Sequence, residues 1–456
     1  STEIYRCGIN NMSILSQEKG MFKEPMSVFG KTLMLVVFIL FTTRLLTRTP
    51  LVDFYTPFEI LWYTFIITFT FIYAFYLFLV RKTVDEIHFY YVLIILMPIW
   101  AGFFAVLSEG QPFMQGLSSQ RHWYGISGIF VMIYMLQTRF ITIGDLFRAM
   151  KWLGWGTMVY YLLCYMFLDP KQYLDYSFVG YSDIKGGYRF KFGIDFIAFL
   201  SVYYTVKYVK QRDSSSLFYS GLNLSYLFFL HQGRSVMLSV VATLAVFYMF
   251  EVNWQRALRI FITIGVVFMF VMGVLFAIMP TRVNDYIVQY TSLATVVFTG
   301  NASGESSVDA RLEEIGILLI YLQDYSIGWW VGVGKLGAES QTVGTEHDIT
   351  TVPPGDIGIL GSIMTYGIIG SLIIYMQFLI AFRSGKFIRR FKHEPFMIAS
   401  KYFLIFSFLS SLAKGYLFMQ PGSTAIFIMV IYAYKLLEVQ MDKQGLPENL
   451  VIKNSF

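Results

Sequence analysis

About twelve stretches of this chain are apolar enough to enter about 30 Å of hydrocarbon, and a segment in that environment must satisfy its own backbone polar groups, which favours helices. The runs fall at Val28–Phe41, Phe58–Val80, His88–Leu107, His122–Gln137, Trp152–Leu168, Phe192–Val209, Leu217–Leu230, Val236–Phe250, Ile260–Met279, Ile357–Phe382, Ile398–Phe418 and Thr424–Leu437. Two of them, Leu217–Leu230 and Val236–Phe250, are short and flank the hairpin His231-Gln232-Gly233-Arg234. Composition agrees: 56% of the 456 residues are hydrophobic and 14% charged, outside the range of a soluble domain. The reading is an all-α polytopic membrane protein, with residues 1–456 forming one integral membrane domain. The segment before Met26 lacks the basic start, short apolar core and small-residue site of a cleaved signal, so the first helix is expected to stay in the protein. Cys7 and Cys164 stand where a disulfide framework is implausible.

Charge orients the helices. Alternate connections are basic: Arg81-Lys82, Arg139 to Lys151, Lys207 to Arg212, Arg256 with Arg259, and Arg383 to Lys392. The positive-inside rule makes these cytoplasmic, and an even number of spans puts both termini inside. The net charge of +6 then belongs largely to topology and gives no reason to expect a nucleic-acid partner. The opposite loops also hold cations, among them Lys171, Lys185, Arg189, Lys191, Arg234, Arg282, Arg311 and Lys335. Topology does not call for them there, so an anionic ligand competes with plain solvation as their explanation.

The longest polar interval, 280–356, lies between the ninth and tenth runs and reads as a large extracytoplasmic, catalytic loop. Ser306-Ser307-Val308-Asp309 forms a capping-box pattern ahead of Ala310–Gln323, where Leu312, Ile315, Leu318, Leu319 and Leu322 recur at helical spacing. This predicts an amphipathic helix on the membrane surface. His347 follows, between Glu346 and Asp348. An imidazole titrating near neutrality suits a general base on a sugar hydroxyl, with either neighbour to orient it; a surface histidine bonded to backbone is the alternative. Glu346, His347, Asp348 and Asp356 are possible metal ligands, but the recognised histidine spacings are absent and no metal is expected. Guanidinium forks match diphosphate oxygens, which suits Arg189, Arg234 and Arg311. Snorkelling of Arg234 and an Arg311–Glu314 pair one helical turn apart are the plainer readings. Gly332-Val333-Gly334 admits a close backbone approach to a ligand, while Gly358, Gly361, Gly367 and Gly370 read as close helix packing.

Several of these residues together resemble the O-antigen ligases and O-antigen polymerases, membrane glycosyltransferases of the GT-C type. His347-Asp348, nine residues, then Gly358-Ile359-Leu360-Gly361 looks like that family's histidine signature ahead of a membrane helix. Arg311 with Tyr325 to Gly334, and Arg234-Ser235 at the start of a short span, are similar to its other elements, and the resemblance covers the last half of the chain. Asp348 and the missing proline before Gly328 depart from the ligases, and Tyr366-Gly367-Ile368-Ile369-Gly370 is similar to polymerases. The resemblance implies a cofactor-free, metal-independent, inverting transfer of a polyprenyl-diphosphate-linked oligosaccharide to an acceptor glycan. The site would lie on the periplasmic face of a bacterial inner membrane. His347 would be the base, Arg234, Arg311 and Arg189 would hold the diphosphate, and Glu346, Asp348 and Arg282 would support them. The bilayer and a chain-length regulator protein are the other partners expected; a flippase is the competing class.

Overall fold

Helices dominate the protein, and their order follows the apolar runs. The structure is a computed structural model and describes residues 27–81, 86–176, 178–182, 187–231, 233–252, 255, 258, 306–336, 352–386, 388–415, 417 and 420–444. The helices are α1 (Val28–Thr42), α2 (Val52–Phe75), α3 (Glu86–Glu109), α4 (Phe113–Ser119), α5 (Gly128–Gln137), α6 (Ile143–Phe167), α7 (Asp195–Gln211), α8 (Ser214–Ser225) and α9 (Arg234–Glu251). They continue with α10 (Ser306–Asp324), α11 (Gly328–Val331), α12 (Ile359–Lys386), α13 (Pro395–Lys414) and α14 (Pro421–Gln444). A two-stranded antiparallel ribbon, β1 (Val179–Ser182) and β2 (Gly187–Phe190), precedes α7. The expected run at Ile260–Met279 lies outside the described residues.

Among the described residues, five helical stretches are long and apolar enough to cross a membrane: Val52–Leu79, Glu86–Glu109, Ile359–Lys386, Pro395–Leu412 and Pro421–Asp442. The chain is thus an all-α membrane protein. Burial grades them: 28% of the Val52–Leu79 window is buried against 78% for Pro421–Asp442, so α2 is peripheral and α14 central. Phe54, Leu61, Phe65, Phe71 and Ile72 on α2 are accordingly exposed, as lipid-facing side chains are. The centre is an aromatic knot joining α7, α13 and α14. Phe403 and Phe427 have ring centroids 3.9 Å apart, and Phe199 lies 4.8 Å from Phe427.

Helix ends follow local chemistry. Thr142 and Asp145 form a reciprocal capping box that opens α6, nine residues before the expected Trp152 start. Glu394 accepts from Met397 N at 2.8 Å with Pro395 in the first turn of α13, and Gly415 in the left-handed region ends that helix. Between α1 and α2, Arg44 is also left-handed and its guanidinium meets buried Glu59 of α2, which also accepts from Tyr63 Oη at 2.8 Å.

The tenth apolar run hides a break. α12 carries a non-helical Gly367 (φ 68°, ψ −179°), and the carbonyls of Met364 and Thr365 accept instead from Val333 N (2.7 Å) and Gly334 N (3.2 Å). The extended segment 332–336 is held from the other side by α3 and the residues after it. Trp100 Nε1 donates to the Val331 carbonyl (2.9 Å), Ser108 Oγ to Val333 (2.6 Å) and Gln111 Nε2 to Lys335 (3.0 Å). A Cβ on Gly332 would lie 2.5 Å from the Thr365 carbonyl oxygen. Gly332 and Gly334 therefore admit protein backbone rather than a ligand, and Gly367 is required by the same crossing.

Candidate functional site

A polar cluster gathers at the end of the bundle where α1 and α13 finish and α7, α12 and α14 begin. It is built from short connections. The 3₁₀ turn Leu45–Arg48 brings in Arg48, the residue after β2 is Lys191, and Lys414 is the last residue of α13. The turn before α12 brings Asp356, and α10 supplies Arg311 and Glu314. Lys414 feels Asp356, Arg48, Lys191 and Arg311 electrostatically, and Arg48 feels Asp195 and Asp356. Four cations from four separate segments of the chain thus share one neighbourhood with three carboxylates.

The floor is fixed by buried contacts. Asp195, the first residue of α7, is 1% exposed and accepts from Ser423 Oγ of α14. A Cβ built on Gly193 would touch Leu45, Gln420 and the Tyr161 hydroxyl at 3.5–3.9 Å, so these three segments meet there. Gly422 lets the start of α14 press on the Thr42 and Thr43 backbone at the end of α1. The Tyr161 hydroxyl is buried and has no hydrogen-bond partner among the described residues.

Side chains here are crowded by protein and still open to solvent. Lys414 is exposed and Arg48 partly so, yet burial is the largest influence on each. Solvent reaches both groups and moderates the field between them. The apolar span of α13 closes at Leu412, two residues short of Lys414. Burial pushes the Lys414 ammonium down to about 8; Asp356 opposes the shift, and Arg48, Lys191 and Arg311 reinforce it. Burial likewise pushes Arg48 down, with Asp195 and Asp356 opposing. The Glu314 carboxyl is raised, first by burial and then by Asp356, while Arg311 lowers it, and its Oε2 has no hydrogen-bond partner among the described residues. None of Arg48, Arg311 and Lys414 closes a salt bridge among the described residues. The Arg311–Glu314 pair is an attraction rather than a closed ion pair.

A cluster whose cations depress one another gains most by taking up an anion. Pyrophosphate binding to the full-length protein in detergent is expected to weaken as the pH rises through about 8, where Lys414 loses its proton. Lys414→Arg should abolish that decline, and isothermal titration across pH reads it. In the empty protein the unfolded chain holds this proton more tightly than the folded one, so the lysine's effect on stability runs oppositely. That contribution improves as pH rises from about 8 towards the ordinary value of 10.5.

The sequence-predicted residues divide into three groups. Arg311, Lys191 and Asp356 enter the cluster. Lys335 lies elsewhere, its N–H to the Ala101 carbonyl at 3.4 Å on α3 and its ammonium pushed down by burial; Lys171 is exposed in the turn after α6. Arg234 opens α9 and Arg189 pairs with Gly180 in the ribbon, positions that fix their backbones. His347, Glu346, Asp348, Arg282 and Lys185 lie outside the described residues. Among those described, no three His, Cys, Asp or Glu side chains converge as metal ligands. Sequence reading passed over Arg48, Lys414 and Asp195. The signal for Arg48 was available, since it is one more cation on the side where topology asks for none.

The predicted surface helix forms as α10 and is seated on protein. Leu318, Tyr321 and Leu322 are buried in a second core with Val333, Val352, Ile357 and Met364, while Leu312 and Leu319 face outward. The Tyr321 hydroxyl meets buried Glu109 at the end of α3. This core fixes α10 against the start of α12, which holds Arg311 and Glu314 beside Asp356.

The fold and cluster define an all-α membrane protein with a cation-rich polar cluster at one end. No protein-family model matches the chain, and no curated protein matches it.

Proposed function

We propose that the protein is a polysaccharide polymerase that transfers a glycan from a polyprenyl diphosphate to an acceptor sugar on another lipid-linked repeat unit. The observation that carries this reading is the convergence of Arg48, Lys191, Arg311 and Asp356 on Lys414, at the ends of apolar helices. A diphosphate on a lipid tail needs both parts: cations to offset the charge of the leaving group, and apolar helices between which the tail lies. In this account about twelve spans cross a bacterial inner membrane, and the 280–356 loop and the cluster face its extracytoplasmic side.

The acceptor hydroxyl oxygen attacks the anomeric carbon as the bond from that carbon to the diphosphate oxygen breaks. The electron pair leaves with the polyprenyl diphosphate, whose charge the arginines and lysines stabilise. The hydroxyl proton passes to a general base, His347 by the sequence reading. One displacement inverts the anomeric centre and requires no nucleotide or metal in this scheme.

A ligase using a lipid A-core acceptor would share the donor half of this chemistry. The transporter reading is less well supported. Broken helices in transporters leave backbone free to coordinate ions, whereas the freed carbonyls of α12 are taken up by Val333 and Gly334. Complementation of a polymer-deficient cell with His347→Ala, Arg311→Ala and Arg234→Ala tests the reading. Each variant, at wild-type abundance, is expected to give little or no polymer. Normal chain-length distributions from all three would sink it.

A further inference from the structure

Glycan transfer needs a group that removes the acceptor's proton, and α10 carries a carboxylate with no other evident task. Arg311, Glu314, Leu318 and Leu322 recur along α10 at helical spacing, so they share one face. Leu318 and Leu322 bury that face in the core with Val333, Ile357 and Met364. Arg311 and Glu314 continue the same stripe towards the start of α12, beside Asp356. The plain role for Glu314 is an ion pair with Arg311, one turn away. That pair does not close: Glu314 makes no salt bridge among the described residues, and its Oε2 is shut off from solvent without a hydrogen-bond partner among them. The side chain as a whole stays partly exposed and within reach of a ligand.

The charges acting on Glu314 are Asp356 from the turn before α12, and Arg311 and Glu313 of its own helix. Burial first, and Asp356 after it, hold its carboxyl above the usual range, which makes it a stronger base towards a sugar hydroxyl. Spacing fits the same role. Side chains three residues apart on a helix start about 5–6 Å from one another. With Arg311 on the diphosphate, the Glu314 carboxylate lies where a hydroxyl approaches the anomeric carbon joined to that diphosphate. We infer that Glu314 is a catalytic residue of the transfer, its carboxylate taking the proton of the attacking acceptor hydroxyl. The O–H bond breaks to Glu314 as the oxygen's electron pair forms the new bond to the anomeric carbon. The bond from that carbon to the diphosphate oxygen breaks with its pair on the leaving group. The inference rests on the glycan-transfer reading and gives Glu314 the proton that sequence reading gives to His347.

The test is the initial rate of chain growth across pH, with the full-length protein in nanodiscs and polyprenyl-diphosphate-linked repeat units. The parent should slow as the pH falls through the Glu314 titration, because only the carboxylate accepts a proton. Glu314→Gln keeps the shape of the side chain and should lose about 100-fold or more of the rate, and with it this acid-side decline. Glu314→Asp restores a carboxylate and should recover part of the rate. Inorganic pyrophosphate should bind Glu314→Gln at least as tightly as the parent by isothermal titration, since one negative charge has left the cation cluster. Loss of that binding would make Glu314 a structural part of the cluster and overturn the proposal. Parent-like rates in Glu314→Gln would overturn it too, as would an acid-side decline that survives the substitution, the result expected if His347 takes the proton. A parent that grows no chains fails the transfer reading and this role with it, whereas an active parent beside an equally active Glu314→Gln removes this role alone.

Discussion

Replacing Gly367 with valine is expected to remove folded protein almost completely, the largest structural effect predicted here. At φ 68° the backbone lies where a β-branched residue is strained by about 1–3 kcal/mol. The added Cβ would also overlap the Trp330 carbonyl and the Val331 nitrogen, which are backbone atoms and cannot rotate aside. Moving that backbone breaks the bonds from Val333 and Gly334 to α12, and each buried polar group left unpaired costs about 1–3 kcal/mol. The sum rivals the whole stability of a typical domain, about 5–15 kcal/mol. Fluorescence-detected size exclusion and a thermal melt in detergent read the outcome. Gly316→Ala is the control, because nothing lies within 4 Å of its Cβ, and it should match the parent. Parent-like abundance and melting of Gly367→Val would contradict the described crossing.

Arg311→Ala is expected to leave a folded protein that consumes a lipid-diphosphate glycan about 100-fold more slowly or worse, the loss typical of removing one donor from a developing anion. Arg311 is only partly buried and closes no ion pair among the described residues, so its truncation should barely alter the melt. Arg311→Lys keeps the charge and loses the fork, and should recover part of the rate. Arg48→Ala should behave like Arg311→Ala, since both cations act on Lys414 beside Asp356. Initial rates and melting temperatures of the purified variants separate the two effects. Parent rates in both Arg48→Ala and Arg311→Ala would remove the cluster from the chemistry.

Apolar periodicity was readable wherever a helix has one face to bury. The spacing of Ile315, Leu318 and Leu322 announced α10 and its inward face, although only the fold reveals that the face meets Val333 and Met364 instead of lipid. The break at Gly367 was invisible to hydropathy, because Ile357–Phe382 is apolar throughout and the interruption is purely one of backbone direction. Lys414 was masked for a similar reason: a lysine inside the run Ile398–Phe418 reads as part of a span, whereas the helix ends with it. Arg44 and Arg48 look equivalent in sequence. Buried Glu59, on the next helix, takes Arg44 and leaves Arg48 to the cluster, a choice made by tertiary packing. Arg311 and Lys191 had been singled out as cations on the side expected to be extracytoplasmic, and both fall in the same cluster.

The central claim is glycan transfer from a polyprenyl diphosphate, and the direct measurement is reconstitution of the full-length protein in nanodiscs with polyprenyl-diphosphate-linked repeat units as the sole substrate. The account predicts lengthening lipid-linked chains, with one free polyprenyl diphosphate released for each new glycosidic bond. Intact substrate after prolonged incubation, unchanged when a lipid A-core acceptor is added, would contradict it.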